Sequence, residues 1–205
     1  MSKVQNIKKQ THNPFLNLYE IEAQHRDGST TPYYFASRAK NISSLKICTK
    51  DSVPDGVIVY GVYGEQKDRL VLIRQFRYPI DNYIYEFPAG LVESGEDLQT
   101  AAIREFYEET GLVLHPADAP KDYCRPFFTT VGMTDECCGT IFGYCTGIPN
   151  NRGQEPSEDI EIIIADRKEC RRILAEENVA IKCAYLLMQF IHSTGDPLDF
   201  LKDGK

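Results

Sequence analysis

An α/β fold with a mixed sheet between helical layers is what the sequence predicts. Three observations carry it: β-rich runs recur along the chain, helical stretches interleave with them, and the sheet they would build needs cover on both faces. The 205 residues suffice for one well-filled core and are short for two. A main domain is therefore expected over residues 51–205, behind an N-terminal extension over residues 1–50.

The elements follow in chain order. From Phe15 to Ala23 apolar and polar residues partly alternate, and His25 to Thr30 supply turn chemistry before Pro32-Tyr33-Tyr34-Phe35-Ala36, so a β-hairpin opens the chain. A lone hairpin is marginal in water and must pack on the domain or on a partner. Gly56 to Tyr63 and Arg69 to Phe76 are strand-like runs joined by Gly64-Glu65-Gln66-Lys67-Asp68. Ile84 to Phe87 then leads through Pro88-Ala89 into a glycine turn and a short helix ending at Gly111. Tyr123 to Thr130 and Gly139 to Tyr144 read as further strands, followed by a polar loop from Ile148 to Ser157 and a strand from Ile160 to Ala165. Two helices finish the chain, Asp166 to Glu177 and Val179 to His192. On the last, Ile181, Ala184, Tyr185, Met188 and Ile191 recur at helical spacing as a core face.

Charge and cysteine content narrow the function classes. A formal net charge of −7 argues against a nucleic-acid surface, where a basic balance is expected. No apolar run reaches the length of a membrane span, and the first 15 residues lack the apolar centre of a signal peptide. The expectation is a cytoplasmic protein without a membrane partner. Seven cysteines in no metal-ligand or CxxC spacing suit free thiols in a reducing compartment.

The stretch from Gly90 to Leu112, GLVESGEDLQTAAIREFYEETGL, carries the chemistry. On a helix, Glu105 and Glu109 lie four apart and Glu108 three from Glu105, so the three carboxylates project towards one side. Leu98, Ala101 and Ala102 share nearly the same side, which would ordinarily pack inward. Carboxylates there repel one another and lose hydration, and a hard divalent cation such as Mg²⁺ or Mn²⁺ removes both penalties. An exposed helix with intrahelical ion pairs is the other account, with Arg104 four residues before Glu108.

The spacing of Gly90, Glu96, Arg104-Glu105-Phe106, Glu108-Glu109 and Gly111-Leu112 resembles the signature box of the Nudix hydrolases, with aromatic Phe106 where an aliphatic residue is commoner. YEFPAGLVESGE resembles the ADP-ribose pyrophosphatases within that family. The resemblance implies an α/β/α sandwich, and an N-terminal sheet that often crosses to the other subunit of a homodimer. It also implies Mg²⁺ or Mn²⁺ held by Glu105 and Glu109, with Glu108 assisting in binding and catalysis and the Ala89 carbonyl capping the site. Glu96 is expected to hold the turn and Arg104 to orient a neighbouring glutamate.

A general base is needed as well. The family carries a functional glutamate in the loop represented here by QEPSEDIE, where alignment on the following strand favours Glu158, then Glu155. A solvated acidic turn would have the same sequence. For substrate, the resemblance points to Arg77 in RQFRYP, with Leu91, Gly132 and Glu136. Arg38 follows the hairpin aromatics, and with no tryptophan in the chain Tyr34 is the candidate to stack on a base, ordinary strand packing being the other account of it. Val131 replaces the proline that usually precedes glycine in the loop holding Gly132.

The expected activity is metal-dependent cleavage of a nucleoside diphosphate sugar, ADP-ribose first, into AMP and a sugar phosphate. The alternatives are a Nudix hydrolase of another sugar nucleotide or a nucleoside triphosphate, and a ligand sensor that keeps the fold without catalysis. A sensor would be expected to lose box carboxylates or to carry a DNA-binding domain, and neither feature is seen in the sequence.

Overall fold

A computed structural model describes residues 3–155 and 157–202. In order, its strands and helices are β1 Lys3–Lys9, β2 Asn17–Gln24, β3 Thr30–Ser37, α1 Lys46–Thr49, β4 Gly56–Tyr63, β5 Arg69–Arg77, β6 Asn82–Glu86, β7 Ala89–Leu91, α2 Leu98–Thr110, β8 Val113–Pro116, α3 Lys121–Cys124, β9 Phe127–Phe128, β10 Cys137–Thr146, β11 Ile160–Asp166, α4 Arg167–Glu176 and α5 Ile181–His192. They fall into two compact units, one of residues up to Asp55 together with Pro126–Cys138, the other of Gly56–Arg125 and the chain from Gly139 onward.

In the first unit the expected hairpin, β2-β3, is extended by β1 into a three-stranded antiparallel sheet, β1-β2-β3. Its turn closes through the His25 N–H on the Ser29 carbonyl, with Gly28 at φ 90°. Tyr19, Ile21, Phe35 and Leu45 form a small core, with the Tyr19 and Phe35 rings stacked at 5.7 Å. Residues of the 126–138 segment join this unit through the Ala36 N–H on the Met133 carbonyl at 2.8 Å.

The second unit is built on the sheet β11-β5-β4-β10-β8, with β6 on β5 and β7 on β4. Gly56–Tyr63 is buried almost throughout because alternate residues meet different covers. Val57 and Val59 join Ala101, Ala102 and Phe106 of α2 in one core cluster. Tyr60 points the other way, meeting Phe87 and Phe142 and donating its hydroxyl to Gln189 of α5. Helix, sheet and helix are thus layered within this unit.

Three expectations need correction. Tyr123 to Thr130 is not a strand: α3 occupies its start, Pro126 removes a ladder donor, and only Phe127–Phe128 pairs, with β10. The N-terminal region has a third strand, β1, which its polar sequence KVQNIKK hides. The core face of α5 is Cys183, Leu187, Phe190 and Ile191, whereas Ile181, Tyr185 and Met188 are exposed. Both stripes have helical spacing, so periodicity alone could not choose between them. Cys137, Cys145, Cys170 and Cys183 are buried thiols. No helix among the described residues is long and apolar enough to cross a membrane.

Candidate active site

Helix α2 is fixed at both ends by its own sequence. Asp97 caps the N-terminus by accepting from the Thr100 N–H at 2.9 Å. Gly111 closes the C-terminus in the left-handed region, at φ 68°. Between them the Phe106 ring lies over Gly61, where an added β-carbon would stand 2.8 Å from it. The missing side chain on β4 is what admits an aromatic residue at position 106.

That seating carries the glutamates. Glu109, only 4% exposed, accepts from the Ala89 N–H at 3.0 Å. The Glu105 carboxyl lies against Gly90, where an added β-carbon would come within 1.9 Å of its carboxyl carbon. Burial pushes the Glu109 carboxyl well above the ordinary range; the Ala89 N–H opposes this, and the charges of Glu158 and Glu105 add to the push. Glu105 is raised too, by burial first, with Arg104 opposing and Glu108 and Glu158 adding.

Arg104 gathers the surrounding acids. Its guanidinium donates to Glu96 at 2.9 and 3.1 Å, to Glu105 at 2.8 Å, to Glu108 at 3.2 Å and to the Leu91 carbonyl at 3.1 Å. Glu96 in turn accepts from the Glu93 N–H across the turn, and it is held below the usual carboxylate range, chiefly by Arg104. Among the described residues no three His, Cys, Asp or Glu side chains form a ready-made cation cluster, since Glu105 and Glu108 are turned onto Arg104.

The loop after β10 closes over the end of α2. The Asn150 N–H meets the Thr110 carbonyl at 2.9 Å, and the Gln154 amide meets the Glu109 carbonyl at 2.8 Å. Glu155 and Glu158 lie in this loop and bind each other: the Glu158 N–H donates to the Glu155 carbonyl, and the Glu155 N–H donates to the Glu158 carboxylate, both at 2.9 Å. Arg77, at the end of β5, is held by Glu86 at 2.6 and 2.8 Å, and its charge bears on Glu109.

The second unit therefore brings Ala89, Leu91, Glu105, Glu108, Glu109, Glu155, Glu158 and Arg77 onto one set of elements. Tyr34, Arg38, Gly132 and Glu136 belong to the first unit. There Tyr34 is half exposed, Arg38 makes a loose 3.8 Å pair with Glu136, and the Gly132 carbonyl accepts the Tyr33 hydroxyl. Sequence reasoning missed Gln154 and Glu86. Glu86 was legible as the lone charge in YEFPAG, whereas the reach of Gln154 to a helix carbonyl depends on the loop's path and left no sequence signal.

Comparison with known proteins agrees with this picture. The NUDIX domain family matches residues 53–163. An ADP-ribose pyrophosphatase of Bacillus subtilis is 36% identical over 136 residues, 65% of this chain and 70% of that protein. A Nudix protein of Caenorhabditis elegans is 33% identical over 128 residues, 62% of this chain, so that the chain spans about half, 53%, of that relative. A crystal structure of an ADP compounds hydrolase matches 95% of this chain and 96% of its own with a TM-score of 0.67 at 15% identity, a likeness of fold. With the domain matched over more than half of the 205 residues, and with the helix–sheet–helix layering around α2 found where the box predicts it, the chain belongs to the Nudix family.

Proposed function

We propose that the chain hydrolyses the pyrophosphate bond of a nucleoside diphosphate sugar, ADP-ribose first, to AMP and ribose 5-phosphate, with Mg²⁺ or Mn²⁺. The observation that carries this is the Glu109 carboxyl, 4% exposed and pushed up by burial beside Glu105. Two carboxyls for which burial disfavours charge, one of them cradled against Gly90, are a donor set that fits a hard cation. Glu105 and Glu109 would hold it, with Glu108 and the Ala89 carbonyl completing the protein's donors. When bound, the ion screens the diphosphate charge and stabilises the leaving phosphate.

The chain's own residues supply the rest. Glu158, whose charge reaches both Glu105 and Glu109, takes the proton of the attacking water, and Glu155 is the second choice. Arg77 offers a fork to phosphate oxygens, with Glu86 fixing its plane. Tyr34, Arg38, Leu91, Gly132 and Glu136 are assigned to the nucleotide and sugar ends. Exposed Phe15, Leu16, Leu18 and Tyr34 support a role for the three-stranded sheet in a homodimer.

The name of the Bacillus subtilis relative, ADP-ribose pyrophosphatase, supports ADP-ribose as the first substrate to try. Incubation with ADP-ribose, other nucleoside diphosphate sugars and nucleoside triphosphates in Mg²⁺, read by mass spectrometry, tests the proposal. AMP and ribose 5-phosphate are expected. Unchanged ADP-ribose overturns the substrate, and an inert panel overturns the activity.

A further inference from the structure

The side chain that stands next to Glu158 is tied to a different strand. The Phe76 N–H donates to the Asp159 carbonyl at 3.1 Å, continuing by one residue the β11–β5 ladder that begins at Ile160 and Gln75. The Asp159 carboxylate accepts the Tyr83 hydroxyl at 2.6 Å. Tyr83 lies on β6 opposite Phe76 and is itself immobilised. The Arg74 guanidinium sits 4.0 Å from its ring centroid, and the Phe76 ring meets it edge-on at 5.5 Å. Arg74 is held in turn by Glu161, its cross-strand partner, at 3.1 Å.

Glu158 is thus set between two anchors. Upstream, Gln154 and Asn150 bind the last carbonyls of α2, the helix that carries Glu105 and Glu109. Downstream, Asp159 is held by a rigid tyrosine on the sheet. Between these ends the Glu158 N–H binds the Glu155 carbonyl and the Glu155 N–H binds the Glu158 carboxylate, so the two anchors help to place Glu158.

We propose that Tyr83 is a positioning residue for hydrolysis, its hydroxyl acting through Asp159 to hold Glu158 in place on the loop that is tied to the end of α2. The inference rests on Glu158 being the base. A surface tyrosine that only stabilised the sheet would have no reason to act through one glutamate, and that difference is measurable.

The experiment is a kinetic cycle with ADP-ribose and Mg²⁺ on wild type, Tyr83→Phe, Glu158→Gln and the double variant. Tyr83→Phe should lower kcat about tenfold, with KM changed less than about twofold, the size of effect that a small misplacement of a reacting group produces. In the Glu158→Gln background, the same change should cost nothing further, because the group it positions is gone. Asp159→Ala should match Tyr83→Phe, and Asp159→Asn, which keeps an acceptor oxygen, should restore most of the turnover. Wild-type kcat in Tyr83→Phe, or an equal loss with and without Glu158, overturns the proposal while leaving the base assignment in place. Wild-type kcat in Glu158→Gln removes the base assignment itself, and the proposal with it.

Discussion

The carboxyl of Glu105 fills the space beside the Cα of Gly90, so that a β-carbon at position 90 would fall 1.9 Å from the Glu105 carboxyl carbon and 2.1 Å from one of its oxygens. The obstructing atoms are the far end of a flexible side chain and not backbone. Gly90→Ala should therefore keep the fold and move Glu105. The expected outcome is a melting midpoint within about 2 °C of wild type in EDTA, a shift worth no more than about 1 kcal/mol in a chain of this size. The stabilisation by added Mg²⁺ should be largely lost. A variant that unfolds, or one that Mg²⁺ still stabilises fully, would show that Gly90 is there for another reason.

Glu109→Gln separates charge from shape. The amide keeps the volume and can still accept from the Ala89 N–H, which now meets the carboxylate at 3.0 Å. It removes a charge that burial disfavours. Stability in EDTA at pH 8 should hold or rise, while turnover falls by more than about 100-fold, beyond the range for groups that only support a ligand. Near-normal turnover would remove Glu109 from the ligand set.

Much of this site was legible because α2 states its own end. Gly111 closes it, and the glutamates recur at helical spacing on the side of Ala101 and Ala102. Strand β4 was legible for a similar reason, as a continuous apolar run that only a sheet covered on both faces can use. What escaped has a common cause in long-range pairing. β1 is polar, and it is held by its ladder to β2, with an irregularity near Asn6. On α5 two apolar stripes were available, and neighbours that the sequence does not name decided which was buried. The contacts that place Glu158, from Gln154 to a carbonyl 45 residues earlier and from Tyr83 to Asp159 76 residues later, belong to the same class.

Asp196 ties the segment after α5 to the sheet. It accepts from Lys67 at 2.7 Å, from Tyr144 at 2.6 Å and from the Leu198 N–H at 3.1 Å. Burial pushes its carboxyl up, but these donors outweigh it and leave the carboxyl below its ordinary value of 3.8. A depressed carboxyl contributes stability that is present above the unfolded-state value and is lost as pH falls through the folded one. Asp196→Asn should therefore lower the melting midpoint at pH 7 by roughly 3 °C, about 1 kcal/mol. The gap from wild type should narrow below about pH 4. A gap that stayed constant down to pH 3 would mean that the carboxylate charge contributes nothing there.

Gly153 presents the opposite case to Gly90. A β-carbon on it would stand 2.7 Å from the Glu108 carbonyl oxygen and 2.9 Å from the Glu108 Cα, both of them backbone atoms of α2. The helix is held by its own ladder and by its packing on the sheet, so it cannot yield. The loop must yield instead, and Glu158 moves with it. Gly153→Ala should then cost about tenfold or more in turnover, as misplacement of a reacting group does. Its effect on the melting midpoint should be modest, because the displaced segment is exposed and adds little to the core. Hydrogen exchange gives a check independent of rate: the Asn150 amide, now on the Thr110 carbonyl, should lose protection while the amides inside α2 keep theirs. Equal loss of protection along α2 would mean that the helix gave way, and Gly153 would then be needed for the fold and not for the placement of the loop.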